Sequence, residues 1–259
     1  MKKNVEIVAL IYKSVKYLHF ICEQLQSDLC KADGWDVGVR IVANDATEQV
    51  IEELKNMGIN YTIFNNPNPD EFYLNRVYRA FNFAVTSSEY DNVCLLNSDN
   101  VITKNWLPNL LKQHDGINIP CSRTIESGKM PSGKHCINLG ENDFGRHPDE
   151  FDFVSWHKYA NQIEKDETHR GGIYCSPVFE KKRFIESGGY PEGNVFYKVF
   201  DGKYIVDGVY QVGFPNDRPI YKASDDYYFH NVLEEKYNMK HITVFDSIIY
   251  HIMEGEKDE

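Results

Sequence analysis

Asn92-Val93-Cys94-Leu95-Leu96-Asn97-Ser98-Asp99-Asn100 sets a short apolar run, of strand length, directly against a cluster of four polar residues. A run without polar interruption has both faces covered, the condition of a strand inside a parallel sheet. Working back towards the N-terminus, the arrangement repeats. Residues 5–11 form a compact apolar run that ends at Tyr12, and residues 37–42 a second one that ends at Asn44-Asp45. Residues 59–64 read as a third strand. Between them, Val15, Leu18, Cys22, Leu25 and Leu29 recur at steps of three and four, which is helical spacing. Residues 50–57 predict a short helix ended by Gly58, and Leu74, Val77, Phe81 and Ala84 mark another helical face. Strands alternating with helices predict an α/β fold: a mostly parallel sheet with right-handed crossovers, flanked by helices.

Beyond residue 100 the pattern loosens. Residues 105–114 read as a helix and 116–120 as a short strand. Residues 121–170 lack clear periodicity and read as loops over a binding face. A helix is expected over 178–187, closed by Gly188-Gly189, then a loop region or small hairpin over 190–220. Ser224 starts a helix running to about Asn238, and 242–252 form a last strand before an acidic tail. With no internal repeat and no linker, residues 1–259 read as a single domain, with halves of about 1–100 and 101–259.

The 39 acidic and 28 basic side chains leave a formal charge of −11, which disfavours broad non-specific binding to nucleic acid. No apolar run approaches the roughly 20 residues needed to cross a bilayer. Residues 5–12 behind Lys2-Lys3 have the outline of a secretion signal, but Glu6 and Lys13 interrupt it and no small-residue cleavage site follows. Six cysteines without C-x-x-C spacing point to reduced, mostly buried thiols and a cytoplasmic protein.

In open α/β sheets, ligands collect beyond the carboxyl ends of the strands. Three polar clusters fall there: Tyr12, Asn44-Asp45 and Asn97-Ser98-Asp99. No G-x-G-x-x-G follows the first strand and no G-x-x-x-x-G-K-[ST] occurs, so the usual Gly-rich phosphate cradles are missing. Asp99 suits a hard divalent cation that neutralises a diphosphate, or an Asx turn closing a strand. Asp45 can accept from a nucleobase imide or a ribose hydroxyl, or cap the next helix. Asp225 and Asp226 suit the first turn of a helix, and either could serve as general base toward a hydroxyl. His251 is structural unless its strand returns beside Asp99, where an imidazole would complete a metal site.

Together these clusters resemble the GT-A-fold glycosyltransferases, particularly the large inverting family 2, over nearly the whole chain. Residues 5–12 look like that family's opening strand, with Tyr12 at the position that stacks on the nucleobase. Val42-Ala43-Asn44-Asp45-Ala46-Thr47 is similar to its Asp-Asp-x-Ser segment, with Asp45 as the base-binding acid and Asn44 replacing the first Asp. Arg76, six residues before Asn82, matches an Arg near the base and phosphates. Asn97-Ser98-Asp99 resembles the D-x-D motif, with Asp99 at the metal-binding position and Asn in place of the first Asp. Gly171-Gly172 and Gly188-Gly189-Tyr190 look like the acceptor-side segment. Ser224-Asp225-Asp226 resembles the Glu-Asp pair whose second member is the catalytic base, which makes Asp226 the base and Asp225 its neighbour. His251 falls where many of these enzymes place a late metal-binding His.

The resemblance implies inverting transfer from a nucleotide-diphosphate sugar, a UDP-sugar first, to a saccharide or other hydroxyl acceptor, with Mn2+ or Mg2+. It assigns donor binding to Tyr12, Asn44, Asp45, Arg76, Asn97 and Ser98, and metal binding to Asp99 and His251. Acceptor choice is expected in 121–170 and 190–220, where Trp156, Tyr197, Tyr204 and Tyr210 either stack on sugars or pack internally. Three alternatives stand beside it. One is transfer to modified bases of (viral) DNA, met by Arg123, Lys129, Lys134, Arg146 and Arg170. A nucleotidyltransferase is the second, although Ile11-Tyr12-Lys13-Ser14 lacks its glycines. The third is an inactive sugar- or nucleotide-binding module, suggested by Asn44 and Asn97.

Overall fold

The computed structural model describes residues 3–68, 72–128, 130–210, 221–252 and 255–256. The chain begins β1 (Lys3–Ile11), α1 (Val15–Leu25), β2 (Trp35–Asn44), α2 (Glu48–Met57), β3 (Tyr61–Phe64), α3 (Tyr73–Ser87), β4 (Asn92–Asn97). It continues β5 (Asn100–Ile102), α4 (Trp106–Gln113), β6 (Asn118–Glu126), β7 (Cys136–Asn138), α5 (Phe153–Ile163), β8 (Thr168–Arg170), β9 (Val178–Glu180), α6 (Lys181–Ser187). It ends β10 (Asn194–Phe200), β11 (Lys203–Tyr210), β12 (Tyr221–Lys222), α7 (Ser224–Tyr227) and β13 (Lys240–His251). The first sheet has the order β3-β2-β1-β4-β9, parallel except for β9. A second, β5-β13-β6-β7, adds β8 against β13, and a third joins β11, β10 and β12. Among the described residues, no helix is long and apolar enough to cross a membrane.

Alternation along β1 explains its unbroken apolar run. Val5, Ile7, Ala9 and Ile11 pack with α1 and α4 on one face, while Val8 and Leu10 pack with α3 residues on the other. Glu6 survives in this buried strand because Arg40 of β2 holds its carboxylate with two hydrogen bonds, at 3.0 and 2.9 Å. Local signals set the helix ends. Ser14 and Thr47 accept N–H groups in the first turns of α1 and α2, and Gly58 closes α2 at φ 64°.

Five elements differ from the sequence reading. Leu29 lies outside α1, in a separate 3-10 turn over Asp28–Cys30. The strand expected over 116–120 extends to Glu126, and the region read as loops contains α5, whose Trp156 and Ala160 are buried. The helix expected over 178–187 starts as strand, because Val178–Glu180 pairs with β4. After α7 the chain continues in π-helical turns over Tyr228–Glu234, a form that often accompanies functional sites. The hairpin expected over 190–220 is β10–β11; residues 211–220 lie outside the described residues, as does most of the acidic tail.

The β6–β13 ladder is parallel and carries an irregularity between Val244 and Ile248. Beyond it, His251 stands opposite Glu126 on one side and Asn100 of β5 on the other.

Candidate active site

At the carboxyl end of β2, Asp45 takes a left-handed conformation at φ 51°, turning the chain out of the sheet. Its Oδ1 accepts the Asn66 N–H at 2.7 Å, and its Oδ2 accepts Asn66 Nδ2 at 2.8 Å and faces Arg76 Nη1 at 3.6 Å. Arg76, on α3, donates to the Tyr12 hydroxyl at 2.8 Å, with its guanidinium 4.9 Å from the Tyr12 ring centre. Tyr12, Asp45 and Arg76 therefore form one connected group. Asn44 lies buried behind it, its Oδ1 taken by Asn66 Nδ2 at 2.7 Å. Two buried polar atoms at this spot, Asn66 Oδ1 and Arg76 Nε, make no hydrogen bond.

The Asn97-Ser98-Asp99 cluster forms the tight turn from β4 into β5. Asn100 pins it, accepting the Asn97 N–H at 3.0 Å and donating to Asp99 Oδ1 at 3.2 Å. Asp99 Oδ2 faces His251 Nε2 at 3.4 Å, and the opposite ring nitrogen, Nδ1, meets Glu126 Oε2 at 3.0 Å. Glu126 is itself fixed, accepting the Met130 N–H at 2.8 Å. Burial works against a charged His251, but Asp99 and Glu126 outweigh it and hold the imidazole well above its ordinary range. Among the described residues no three His, Cys, Asp or Glu side chains are grouped to hold a metal ion. Asp99 and His251 still fit one that takes its remaining ligands from a diphosphate and water, and Glu126 presents the His251 Nε2 towards it.

Asp225 and Asp226 build a second cluster. Asp225 is half-buried and bonded to Tyr78; its partial burial raises its carboxyl pKa, which that bond partly offsets. Asp226 keeps 40% of its side chain exposed, with Oδ1 accepting the Tyr174 hydroxyl at 2.8 Å and lying 3.4 Å from His230 Nε2. Of the two, Asp226 can reach a substrate. The residue after Tyr174, Cys175, has its thiol within the electrostatic reach of His251, Asp99 and Glu126. The Gly188-Gly189-Tyr190 turn is clamped to α3 by Asn82, which accepts the Tyr190 N–H at 2.9 Å and donates to its carbonyl at 2.8 Å. A Cβ on Gly189, at φ 70°, would stand 2.7 Å from Asn82 Oδ1.

Behind Tyr174, fully buried His241 stacks at 5.1 Å, and neither of its ring nitrogens meets a partner in hydrogen-bonding geometry. Burial lowers its pKa to about 4, against an opposing pull from Glu234. The unfolded chain therefore binds this proton first, and stability is lost as pH falls from about 6.5 towards 4, by at most about 3 kcal/mol. Replacing His241 with Phe, which keeps the stack, should flatten the fall in Tm between pH 7 and 4.5; parallel curves for the two proteins would clear His241 of this role.

Other candidates are dispersed. Trp156 is fully buried and packs on Phe144 and Tyr250, so it is core, whereas Tyr204 is exposed on the hairpin and Tyr197 half-buried there. Lys129 and the Tyr210 side chain lie outside the described residues. Arg146 pairs with Asp143 at 2.8 Å, Arg170 with Glu234 at 3.4 Å, and Arg123 stacks 4.5 Å over Phe245. The sequence reading passed over Asn66, Glu126, Tyr174 and Glu256. Of these, Asn66 carried a usable signal, a polar cluster at the end of β3. Glu256 reaches Tyr12 and Ser98 from the far end of the chain.

No family model matches the chain, and no curated protein matches it in sequence. Solved structures do match. GalNAc-T7 crystallised with UDP, GalNAc and Mn2+ aligns over 96% of this chain and 44% of its own, at a TM-score of 0.55 and 11% identity. S. aureus TarS 1-349 aligns over 96% and 60%, at 0.50 and 13%. The mannosyltransferase PcManGT from Pyrobaculum calidifontis, in complex with GDP-Man and Mn2+, aligns over 96% and 56%, also at 0.50 and 13%. The chain thus spans 44% to 60% of the length of the structures it matches. Its sheet order, the strand ends that gather Tyr12, Asp45 and Asp99, and these alignments together establish that the chain has the GT-A fold of glycosyltransferases.

Proposed function

We propose that residues 1–259 form one GT-A domain that transfers a sugar, with inversion, from a nucleotide-diphosphate sugar to a hydroxyl acceptor, a UDP-sugar being the first donor to test. The observation that carries this reading is the connected Tyr12–Arg76–Asp45 group together with the Asp99–His251 pair: Tyr12, Asp45 and Asp99 follow the carboxyl ends of β1, β2 and β4 in the first sheet, and His251 reaches Asp99 from the end of β13. Tyr12 offers its ring to the base, Asp45 accepts from the base or ribose, and Arg76 favours the donor's negative charge. A divalent cation, Mn2+ or Mg2+, held by Asp99 and His251 would neutralise the diphosphate and ease its departure. Asp226, oriented by Tyr174, takes the proton of the acceptor hydroxyl as that oxygen bonds to the anomeric carbon. The bond from that carbon to the diphosphate breaks on the opposite face, so the centre inverts. Asp225, bonded to Tyr78, supports its neighbour.

Replacement of the family's first Asp by Asn44 does not argue for an inactive module, since Asn44 acts inward by holding Asn66. A nucleic-acid acceptor gains no support, because Arg146 and Arg170 are engaged with Asp143 and Glu234. A cytoplasmic setting suits the six cysteines, all of them free thiols.

A thermal-shift screen of UDP- and GDP-sugars, with and without Mn2+, tests the reading. A Tm rise with one nucleotide that depends on Mn2+ is expected, and no shift with any donor would sink it. Glu126→Ala should weaken Mn2+ binding in the presence of nucleotide by about 10–100-fold, as loss of an orienting carboxylate does. Mn2+ titration followed by EPR measures this directly, and an unchanged affinity would remove Glu126 from the site.

A further inference from the structure

Of the residues after β13, Ile252, Gly255 and Glu256 are described, and they lie against the site. Ile252 N–H donates to the Asp99 carbonyl at 2.9 Å, and Gly255 N–H to the Ile252 carbonyl at 3.3 Å. Gly255, at φ 57°, passes so close that a Cβ on it would lie 3.7 Å from Asp99 Oδ2. The Glu256 carboxylate lies at the β1–α1 connection. There its oxygens accept the N–H groups of Tyr12 at 3.1 Å, Lys13 at 2.7 Å and Ser14 at 3.0 Å, together with the Ser98 hydroxyl.

Three successive N–H groups of the β1–α1 connection, ending at the Ser14 N-cap, converge on one point, and such a run of backbone donors favours an anion. Glu256 bridges the ends of the neighbouring strands β1 and β4, bonded to the Tyr12 backbone after one and to the Ser98 hydroxyl, beside Asp99, after the other. A nucleoside diphosphate reaching these strand ends meets a carboxylate of its own charge sign, bonded to donors that its own oxygens would use.

We propose that Gly255 and Glu256 act as a built-in competitor of the donor, with the Glu256 carboxylate holding the Tyr12–Ser14 N–H groups and the Ser98 hydroxyl until the nucleotide displaces it. This rests on the reading of Tyr12, Asp45 and Asp99 as the donor site. Only molecules with the carboxylate withdrawn accept the donor, so the apparent dissociation constant rises as that fraction falls.

The test is calorimetric titration of the full chain with UDP plus Mn2+, and separately GDP plus Mn2+, for wild type, Glu256→Ala, Glu256→Gln and Asp45→Ala. Both Glu256 variants should bind the nucleotide about three- to tenfold tighter than wild type. Equal affinity would make the contact idle, and weaker affinity would make Glu256 a donor ligand; either overturns the competitor. Binding that Asp45→Ala abolishes but Glu256→Ala leaves unchanged overturns this inference alone. Absence of nucleotide binding in every protein, the opened variants included, overturns the donor reading and the competitor with it.

Discussion

Asp226→Asn is expected to stop sugar transfer while leaving the donor in place. Turnover should fall by about 10²–10⁴-fold, the usual contribution of a positioned general base. The dissociation constant for the nucleotide should stay within about twofold, because a base acts in the chemical step and not in donor binding. The substitution conserves shape, and an Asn carbonyl can still accept from the Tyr174 hydroxyl, so little else in the cluster changes. Turnover and nucleotide titration on the same preparation measure both quantities. Near-normal turnover would move the base elsewhere. Asp225 would be a poor successor, since its carboxylate is engaged by Tyr78.

Asp99→Asn should act on the opposite quantity. The Mn2+-dependent part of nucleotide affinity should disappear, a loss of about 100-fold or more, since a neutral amide cannot replace the carboxylate as ligand to a hard cation. Asn100 would still pin the turn through the Asn97 N–H, so the fold should survive. Titration in Mn2+ and again in EDTA separates the two contributions. An affinity that responds to Mn2+ as in wild type would place the cation elsewhere.

How much of this was readable beforehand depended on whether a signal was local. The strands of the first sheet were legible because burial on both faces leaves an unbroken apolar run, as in β1 and β4. Asp45 and Asp99 were legible because they terminate such runs. The helix α5 was not recognised although Phe153, Trp156 and Ala160 lie at helical spacing, because the surrounding Gly, Pro and His residues mask so short a stripe. Three residues of β9 carry no periodicity of their own; only pairing with β4 makes them a strand. Glu126, 125 positions before its partner His251, owes its place to the pairing of β6 with β13. Tyr174 and Glu256 likewise acquire meaning only from what the fold brings to them.

The irregularity in β13 works as a spacer of fixed length. Phe245, Asp246 and Ser247 stand outside the ladder with β6, yet each is anchored: Phe245 N–H to Glu167, the Asp246 carbonyl to Asn109, and the Ser247 hydroxyl to Trp106. Because strand side chains alternate, gaining or losing one residue here would turn Tyr250 or Ile252 towards Asp99 and swing His251 away. Substitutions in this trio are tolerable in principle, but a change of length is not. Among related chains, an insertion or deletion between Val244 and Ile248 would therefore mark a molecule that has lost the pairing of Asp99 with His251, even with every motif residue still in place.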